Sequence, residues 1–412
     1  MKSGGVSPDF ICCDASCSWL DSAPSTVQDI GMSEAQKTPE LLLAAWGLEL
    51  TDWNRVVADL RIPAYRAKQI WCGLQEHVIR SWDELSSLPT DLRHALAEQF
   101  AVDVLTVVEI NETPDGVRKF LSRCRDGELI ESVLIPAEDR WTLCISSQAG
   151  CAYGCAFCAS GKAGFVRNLT AGEIVGQALL ATRWMRETHG AGVWGTTPAT
   201  PPAPPTTGPR RGPVPLLRPG NIVVMGMGEP LANYDDVLKA LRILNAPNGL
   251  NIGARHITIS TCGVVPGIRR LADEGFQFEL SVSLHAPNDA LRSRIMPVNK
   301  RWPLQELFPA CQDYTQKTNR IITFEYTLVR GLNDQPEQAQ ELVNRLRGWK
   351  CCVNLIPLSP VAEFTGEAPD DRTCEAFQMA LKAAGIQATF RRSRGRGVDA
   401  ACGQLRLRRM TQ

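Results

Sequence analysis

The chain has 412 residues, which is long enough for two or three domains, and its 44 Lys and Arg residues balance 44 Asp and Glu residues. This balance excludes a protein that is basic or acidic overall, so net charge predicts no partner. The 15 cysteines are odd in number and unevenly spaced, which excludes a secreted disulfide scaffold, and no apolar run is long enough to span a membrane. We therefore expect a cytoplasmic protein without a membrane segment.

The first hundred residues change from a polar tail to a helical region. Residues 1–38 carry Gly, Ser, Pro and Asp without periodicity, which predicts a disordered tail. Apolar residues then recur at helical spacing through residues 39–100, which predicts a small N-terminal helical accessory domain. Its helices are expected at 41–48, 53–60, 65–78 and 89–100.

A change to a period of two follows at residues 101–139 and predicts a β extension. Asp126 and Gly127 form a hairpin signal within it. Residues 140–412 form the predicted core domain. They are interrupted at 189–220, where nine of the 27 prolines of the chain fall, and this composition predicts a flexible surface insertion.

Strands and helices alternate in the core domain, a pattern typical of a parallel sheet with its sites at the carboxyl ends of the strands. A helix is expected at 170–188, where Thr170 and Glu173 have capping-box spacing. The strands are expected at 141–146, 222–225, 256–260, 278–284, 321–328, 351–356 and 388–390, and the later helices near 235–244, 266–273, 304–317, 336–346 and 370–383. The predicted fold class is therefore α/β, with a partial (βα)6 TIM-like barrel behind the helical domain and the β extension.

Three cysteines, Cys151, Cys155 and Cys158, have Cys-x3-Cys-x2-Cys spacing on a glycine-containing loop. Their thiolates can bind an iron-sulfur cluster or a zinc ion. A zinc ion would need a fourth ligand close by, and the next Cys or His in the sequence is His189, beyond a predicted helix. A 4Fe-4S cluster held by three cysteines leaves one iron open to the amino and carboxylate groups of S-adenosylmethionine (SAM). The spacing resembles that of the radical SAM superfamily.

Polar residues and glycines follow several strands at the edge where the site is expected. The segment MGMGEP at 225–230 includes Gly228, which lets the backbone approach a ligand, and Glu229, which can accept a hydrogen bond from the ammonium group of SAM. The ends of the next two strands supply four further candidates: Ser260, Ser283, Leu284 and His285. Each alone is more typical of a hydrogen-bonded core residue, but together they form a series at strand ends.

Cys402 lies in a small-residue turn within an arginine-rich segment, which holds seven arginines between residues 391 and 409. These cations could bind phosphate and would favour the thiolate of Cys402, which makes it a candidate nucleophile. A solvated basic tail is the alternative from charge alone. Cys144 ends the strand before the cysteine loop, a position near the expected cluster.

Several segments together resemble the RlmN family of radical SAM adenine methyltransferases. These are YRAKQIW, ESVLIPAEDRWTLCISSQAGC from Glu131 onward, CAFC, MGMGEP, STCGVVPGI, SVSLHAPND and RRSRGRGVDAACGQL. The resemblance extends from about residue 40 to about residue 408 and leaves out the tail and the proline-rich insertion. It implies methylation of carbon 2 of a specific adenine in 23S ribosomal RNA (rRNA) and of the adenosine 3′ of some tRNA anticodons.

The resemblance also implies roles for individual residues. The 4Fe-4S cluster would be bound by Cys151, Cys155 and Cys158, and SAM by Gly228, Glu229, Ser260, Ser283, Leu284, His285 and Ser359. Ser359 departs from the family pattern, which commonly has asparagine there, because a hydroxyl cannot supply both the donor and the acceptor of an amide at once. Cys402 would receive a methyl group, Cys144 would resolve the intermediate, and Glu131 would accept a proton.

The chemistry explains the need for these groups. Carbon 2 of adenine has no nucleophilic lone pair, so direct transfer from SAM cannot methylate it. In the route that the resemblance implies, one SAM methylates Cys402, and a second yields the 5′-deoxyadenosyl radical that takes hydrogen from that methyl group. The carbon radical adds to the adenine, Glu131 takes a proton, and Cys144 attacks Cys402, leaving a disulfide.

The expected partners are 23S rRNA, tRNA and an electron donor such as flavodoxin or ferredoxin, and the protein is expected to be a monomer. Three alternatives stay open. Sister enzymes methylate carbon 8 of adenine with the same cysteines, and carbon 2 is favoured because the whole-chain pattern is closer to it. A zinc-binding, non-catalytic RNA-binding protein would leave Cys402 without a role, and a radical SAM reaction without RNA would leave the arginine-rich segment unused.

Overall fold

The computed structural model describes residues 42–137, 140–189, 217–359 and 364–391. The tail predicted at 1–38, most of the proline-rich insertion and Cys402 lie outside these ranges. The predicted domain boundaries stay predictions. None of the described helices is long and apolar enough to cross a membrane.

Short helices make up the N-terminal region, where one predicted helix is replaced by a strand. The helices are α1 (Leu50–Asp59), α2 (Tyr65–Cys72, continued by a π-helical turn at Gly73–His77) and α3 (Thr90–Gln99). The helix expected at 41–48 is wrong for most of the residues described, because Leu43–Ala44 form strand β1, parallel to β2 (Phe100–Ala101), and only Ala45–Gly47 form a single 3-10 turn. A Cβ atom on Gly47 would lie 2.7 Å from the backbone nitrogen of Gly172. This close tertiary approach outweighs the local helical preference.

Antiparallel strands follow, as the period of two predicts. They are β3 (Leu105–Glu112), β4 (Arg118–Cys124), β5 (Leu129–Pro136) and β6 (Trp141–Cys144), paired in chain order. The turn between β4 and β5 contains Asp126 and Gly127, which confirms the predicted hairpin. Gly127 has a φ of 92°, a conformation that favours glycine.

A small hairpin that the sequence did not predict carries the cysteine loop. It consists of β7 (Gln148–Gly150), helix α4 (Ala159–Ala163) and β8 (Phe165–Asn168), with β7 and β8 antiparallel. Helix α5 (Ala171–His189) follows it. The predicted capping box is confirmed, because Thr170 N–H donates to the Glu173 carboxylate at 2.8 Å and Glu173 N–H donates to the Thr170 hydroxyl at 3.3 Å.

The rest of the described chain alternates strands and helices, with bounds close to those predicted. The strands are β9 (Asn221–Val224), β10 (Ile257–Thr261), β11 (Glu279–Ser283), β12 (Ile322–Leu328), β13 (Cys351–Pro357) and β14 (Gln387–Phe390). The helices are α6 (Tyr234–Asn245), α7 (Val265–Asp273), α8 (Asp289–Ile295), α9 (Leu304–Thr318), α10 (Pro336–Leu346) and α11 (Asp371–Ala383). The short helix α8 was not predicted.

Ten of the described strands form one sheet, in the order β14-β13-β12-β11-β10-β9-β6-β5-β4-β3. Strands β6 and β9 to β14 are parallel to their neighbours within this set, which confirms the predicted partial barrel. Val282, Phe324 and Val353 align across β11, β12 and β13 and are 0% exposed, so this face of the sheet carries the core. The next residue along each strand points to the opposite face.

Candidate active site

The cysteine loop lies between β7 and α4, and its backbone requires glycine. Gly150 has a φ of 77°, and a Cβ atom there would lie 1.8 Å from the carbonyl oxygen of Gly164. Cys151 N–H donates to the same carbonyl at 2.8 Å, and Ala156 N–H donates to the Ile295 carbonyl at 2.9 Å. These bonds tie the loop to β8 on one side and to the end of α8 on the other.

Cys151, Cys155 and Cys158 all line one cavity of about 340 Å³. Burial raises the pKa of the Cys151 thiol to about 12, and burial also raises the pKa of Cys155. Deprotonated thiols in this pocket therefore need a bound cation, and the iron of a cluster supplies one. The donor set fits a 4Fe-4S cluster. Cys262, at the end of β10, lines the same cavity, which its sequence position did not reveal.

The MGMGEP segment packs against the cysteine hairpin. Gly228 has a φ of 103°, and a Cβ atom on it would lie 2.5 Å from the Cβ atom of Gln148. The Glu229 N–H donates to the side-chain oxygen of Gln148 at 2.9 Å. The glycine therefore allows the end of β9 to approach β7 closely, and both Gly228 and Glu229 line the cavity.

The Glu229 carboxylate already joins two strand ends. It is 3% exposed, and it accepts from the N–H of Cys262 at 2.7 Å and from the N–H of Leu231 at 3.0 Å. Burial raises the pKa of Glu229 in spite of these bonds. An ammonium group of SAM would have to share the two oxygens with backbone donors.

The predicted strand-end residues divide in the structure. Ser260, Ser283 and His285 line the cavity, whereas the side chain of Leu284 is 0% exposed and belongs to the apolar core. Any contact of Leu284 with a ligand would therefore have to come from its backbone.

His285 is a neutral hydrogen-bond donor. Its Nδ1 atom accepts from the N–H of Thr327 at 2.9 Å, which leaves the proton on Nε2. Burial lowers its pKa to about 3. Its ring packs edge-on against Phe157 of the cysteine loop, with 4.8 Å between ring centres. The loop and the end of β11 are thereby in direct contact.

Cys144 ends β6, as predicted, and is 6% exposed. It packs in a small apolar cluster with Val117 and Val133, and Met225 packs against this cluster. Met225 also lines the cavity, so the apolar cluster that contains Cys144 borders the cavity.

Glu131 is a buried residue of β5 and forms an ion pair with Lys119 of β4, with 3.3 Å between Oε2 and Nζ. Both side chains are at most 3% exposed. Lys119 aligns with Val133, and Val133 aligns with Cys144, so Lys119 and Cys144 belong to one row across the sheet. Neither member of the pair is among the residues that line the cavity.

Ser359 lines the cavity just beyond β13, and Arg391 lines it just beyond β14. Cys402 and the other six arginines of the arginine-rich segment lie outside the described residues. The structure thus brings together the cysteine loop and the strand-end residues, and it leaves the methyl-carrier assignment of Cys402 a prediction.

Two buried charged residues of the site were missed by the sequence analysis. Arg292 is 0% exposed and joins strand ends by donating to the carbonyls of Cys262 at 2.6 Å and Ser283 at 3.0 Å. Glu325 of β12 is 5% exposed and lines the cavity. An acidic residue in the apolar strand pattern of β12 was the signal that could have indicated Glu325.

Comparisons with known proteins agree with this site. Residues 216–343 match the family model of the Radical SAM superfamily. A probable dual-specificity RNA methyltransferase RlmN of Gemmatimonas aurantiaca is 45% identical over 348 residues, which are 84% of this chain and 88% of the relative. A relative with the same name from Synechococcus elongatus is 44% identical over 370 residues, 88% of this chain and 92% of the relative.

A solved structure is similar over most of its length. The crystal structure of a radical SAM methyltransferase from Sphaerobacter thermophilus has a TM-score of 0.79 and 43% sequence identity, and the match covers 88% of this chain and 98% of that one. The identities and the extent of these matches show that the chain belongs to the RlmN family of radical SAM RNA methyltransferases.

Proposed function

We propose that this enzyme methylates carbon 2 of a specific adenine in 23S rRNA and of the adenosine 3′ of the anticodon in some tRNAs. One observation carries the proposal: the three cysteines and the strand-end residues line one cavity, and Met225, which also lines it, packs against the apolar side chains around Cys144. The family's dual-specificity relatives and the arginine-rich segment of the sequence support RNA as the substrate.

Cys151, Cys155 and Cys158 would hold the 4Fe-4S cluster. The cluster, when bound, supplies the electron that cleaves SAM to a 5′-deoxyadenosyl radical. Gly228 and the neutral His285 would position SAM, the first by leaving space beside its backbone and the second by donating from Nε2.

The remaining steps need one residue that carries the methyl carbon, one that accepts a proton and one that attacks a sulfur atom. Cys402 would carry the methyl carbon from a first SAM as a thioether, and a second SAM would be consumed in activating that carbon. Glu131, which pairs with the ammonium of Lys119, would accept the proton lost from the adenine. The adduct radical would lose this proton together with one electron, which the oxidised cluster can accept. Cys144 would then attack the sulfur of Cys402 as a thiolate, so that the carbon leaves with the bonding electrons, takes up a proton to become the methyl group of the product, and the two sulfurs form a disulfide.

The proposal includes the setting of the reaction. The enzyme would work as a monomer in the cytoplasm, where a flavodoxin or ferredoxin would reduce the cluster and where the product disulfide could be reduced again.

Mass spectrometry of nucleosides tests the proposal. The reconstituted protein is incubated anaerobically with SAM, a reductant and transcripts of 23S rRNA and tRNA, and the digested RNA is analysed. We expect 2-methyladenosine in both RNAs and none with the Cys155→Ala variant. Production of 8-methyladenosine would favour the sister activity instead, and methylation of rRNA alone would remove tRNA from the proposal.

A further inference from the structure

A polar band crosses the cavity face of four neighbouring strands. Ser283 of β11 aligns with Glu325 of β12, Glu325 aligns with Asn354 of β13, and Asn354 aligns with Thr389 of β14. Residues paired in this way point to the same face of a sheet. Glu325 is the acidic member of the band, and it is only 5% exposed.

One oxygen of Glu325 is held by the protein. Oε1 accepts from the Ser281 hydroxyl at 2.7 Å and from the Asn354 amide at 3.3 Å. The Asn354 amide is oriented in turn by the Thr389 hydroxyl, which donates to its oxygen. Neighbours on both sides therefore fix the carboxylate before any ligand arrives.

The other oxygen is left open. Oε2 is buried, yet among the described residues it has no hydrogen-bond partner, and no described cation forms an ion pair with Glu325. Burying an acceptor without a partner costs free energy, so such a group in a cavity wall points to a donor on a ligand. Glu325 lines the cavity of about 340 Å³ that holds the cysteines.

We propose that Oε2 of Glu325 binds the ribose hydroxyls of SAM, an inference that rests on the proposed function. SAM carries three kinds of donor: its ammonium, the adenine amino group and the two ribose hydroxyls. The ammonium is assigned to the open iron at the cysteine loop, whereas Glu325 lies across the sheet on β12, with β9, β10 and β11 between it and β6.

The surroundings of Glu325 distinguish the other two donors. Besides Glu325, the polar residues that line the cavity from β11 and β12 are Ser283 and Thr327, whose hydroxyls can exchange hydrogen bonds with a diol. Ile356 and Leu358, at and beyond the end of β13, are apolar and suit the face of the adenine ring. The ribose thus belongs between the adenine and the cluster, beside Glu325.

Calorimetric titration of the reconstituted, unreduced enzyme tests the inference, because SAM is not cleaved without an electron. The ligands are SAM and its 2′-deoxy and 3′-deoxy analogues. The proteins are the wild type, Glu325→Gln and, as a matched control outside the cavity, Glu341→Gln. Glu341 accepts a hydrogen bond from Asn288 and does not line the cavity.

We expect Glu325→Gln to weaken SAM binding by about 10- to 100-fold, the range for a hydrogen bond to a charged group, and Glu341→Gln to leave it unchanged. At least one deoxy analogue should bind the wild type more weakly than SAM does, by a similar factor. That analogue should bind Glu325→Gln almost as well as it binds the wild type, because the two changes remove the same bond.

Four results would overturn the inference. Wild-type enzyme that binds both analogues as tightly as SAM has no ribose acceptor, whether or not the variant folds. A Glu325→Gln enzyme with wild-type affinity for SAM, or one that weakens SAM and both analogues equally, removes Glu325 from the ribose site while the proposed function stands. Wild-type enzyme that binds no SAM contradicts the proposed function together with the inference.

Discussion

The antiparallel and parallel parts of the sheet each place a buried acid near the same site, but they treat it differently. Glu131, on antiparallel strand β5, is paired with the ammonium of Lys119. Glu325, on parallel strand β12, is held by uncharged side chains at one oxygen and keeps the other without a described partner. The first arrangement holds a charge within the protein, whereas the second presents an acceptor to a ligand. In the proposed mechanism, the parallel strands bind SAM and antiparallel strand β5 supplies the proton acceptor, whereas Cys144 lies on β6, which pairs with both parts of the sheet.

The largest expected effect concerns the cysteine loop, on which both parts of the sheet depend. Cys155→Ala should reduce the iron content of anaerobically reconstituted protein from about four irons per chain to nearly none, because a cubane cluster needs its three thiolates. Metal analysis and visible absorbance measure this. Cys374→Ala is the matched control, since Cys374 is a buried cysteine of α11 outside the cavity. Stoichiometric zinc in the wild type would contradict the cluster.

The ion pair between Lys119 and Glu131 can be broken by replacing one of its two members. Lys119→Met leaves Glu131 without this ammonium partner in a buried position, and we expect a loss of about 3 kcal/mol in the free energy of unfolding. The double variant Lys119→Met with Glu131→Gln should recover much of the stability but none of the methylation. Chemical denaturation and the nucleoside assay measure the two quantities.

A matched control for this variant is Lys239→Met. Lys239 pairs with Asp52 at 3.0 Å near the surface, where Lys239 is 36% exposed, and such pairs contribute about 1 kcal/mol or less. If Lys119→Met were as stable as this control, the buried pair would not matter for folding. A double variant that still methylates RNA would exclude Glu131 as the proton acceptor.

The smallest effect tests the link between the antiparallel β4–β5 hairpin and helix α5, which leads from the antiparallel part of the chain towards β9. Arg167 of β8 bonds to Asp126 in the turn between β4 and β5 and to both oxygens of Glu173, at 2.9 and 2.8 Å. Burial raises the pKa of Glu173, but its hydrogen bonds from Arg167 and Thr170 N–H lower it by more, so the pKa lies below its usual value.

The carboxylate of Glu173 therefore stabilises the fold above its ordinary pKa of 4.5, and this contribution is lost as the pH falls below that value. Glu173→Gln should lower the free energy of unfolding at pH 7 by about 1–2 kcal/mol, and the difference from wild type should shrink at acidic pH. Denaturation curves at several pH values measure it. A difference that does not depend on pH would mean that the charge of Glu173 is not the cause.

The sequence predicted the parts of the site that follow from local patterns. The spacing of Cys151, Cys155 and Cys158, the glycine at 228 and the strand ends at Ser260 and Ser283 all fall on the cavity. Their positions depend on where strands end, which the alternation of apolar residues indicates.

What the sequence did not predict depends on contacts between distant segments. The hairpin of β7 and β8 consists of two very short strands, and its shape is set by the approach of Gly150 to Gly164. The helix expected at 41–48 is lost to pairing with Phe100–Ala101. Glu325 lies within a strand and not at its end, so its role was apparent only when its neighbours on adjacent strands were known.

In the proposed mechanism, a carbon carried by Cys402 reaches the RNA and Cys144 then releases it. The most direct measurement is a denaturing gel of the Cys144→Ala enzyme after reaction with SAM and RNA, before and after nuclease, followed by mass spectrometry of its peptides. We predict a covalent protein–RNA adduct through Cys402, because the thiol assigned to attack its sulfur is missing. Cys402→Ala should form neither adduct nor product. An active Cys402→Ala enzyme, or a Cys144→Ala enzyme that turns over freely without an adduct, would contradict the account.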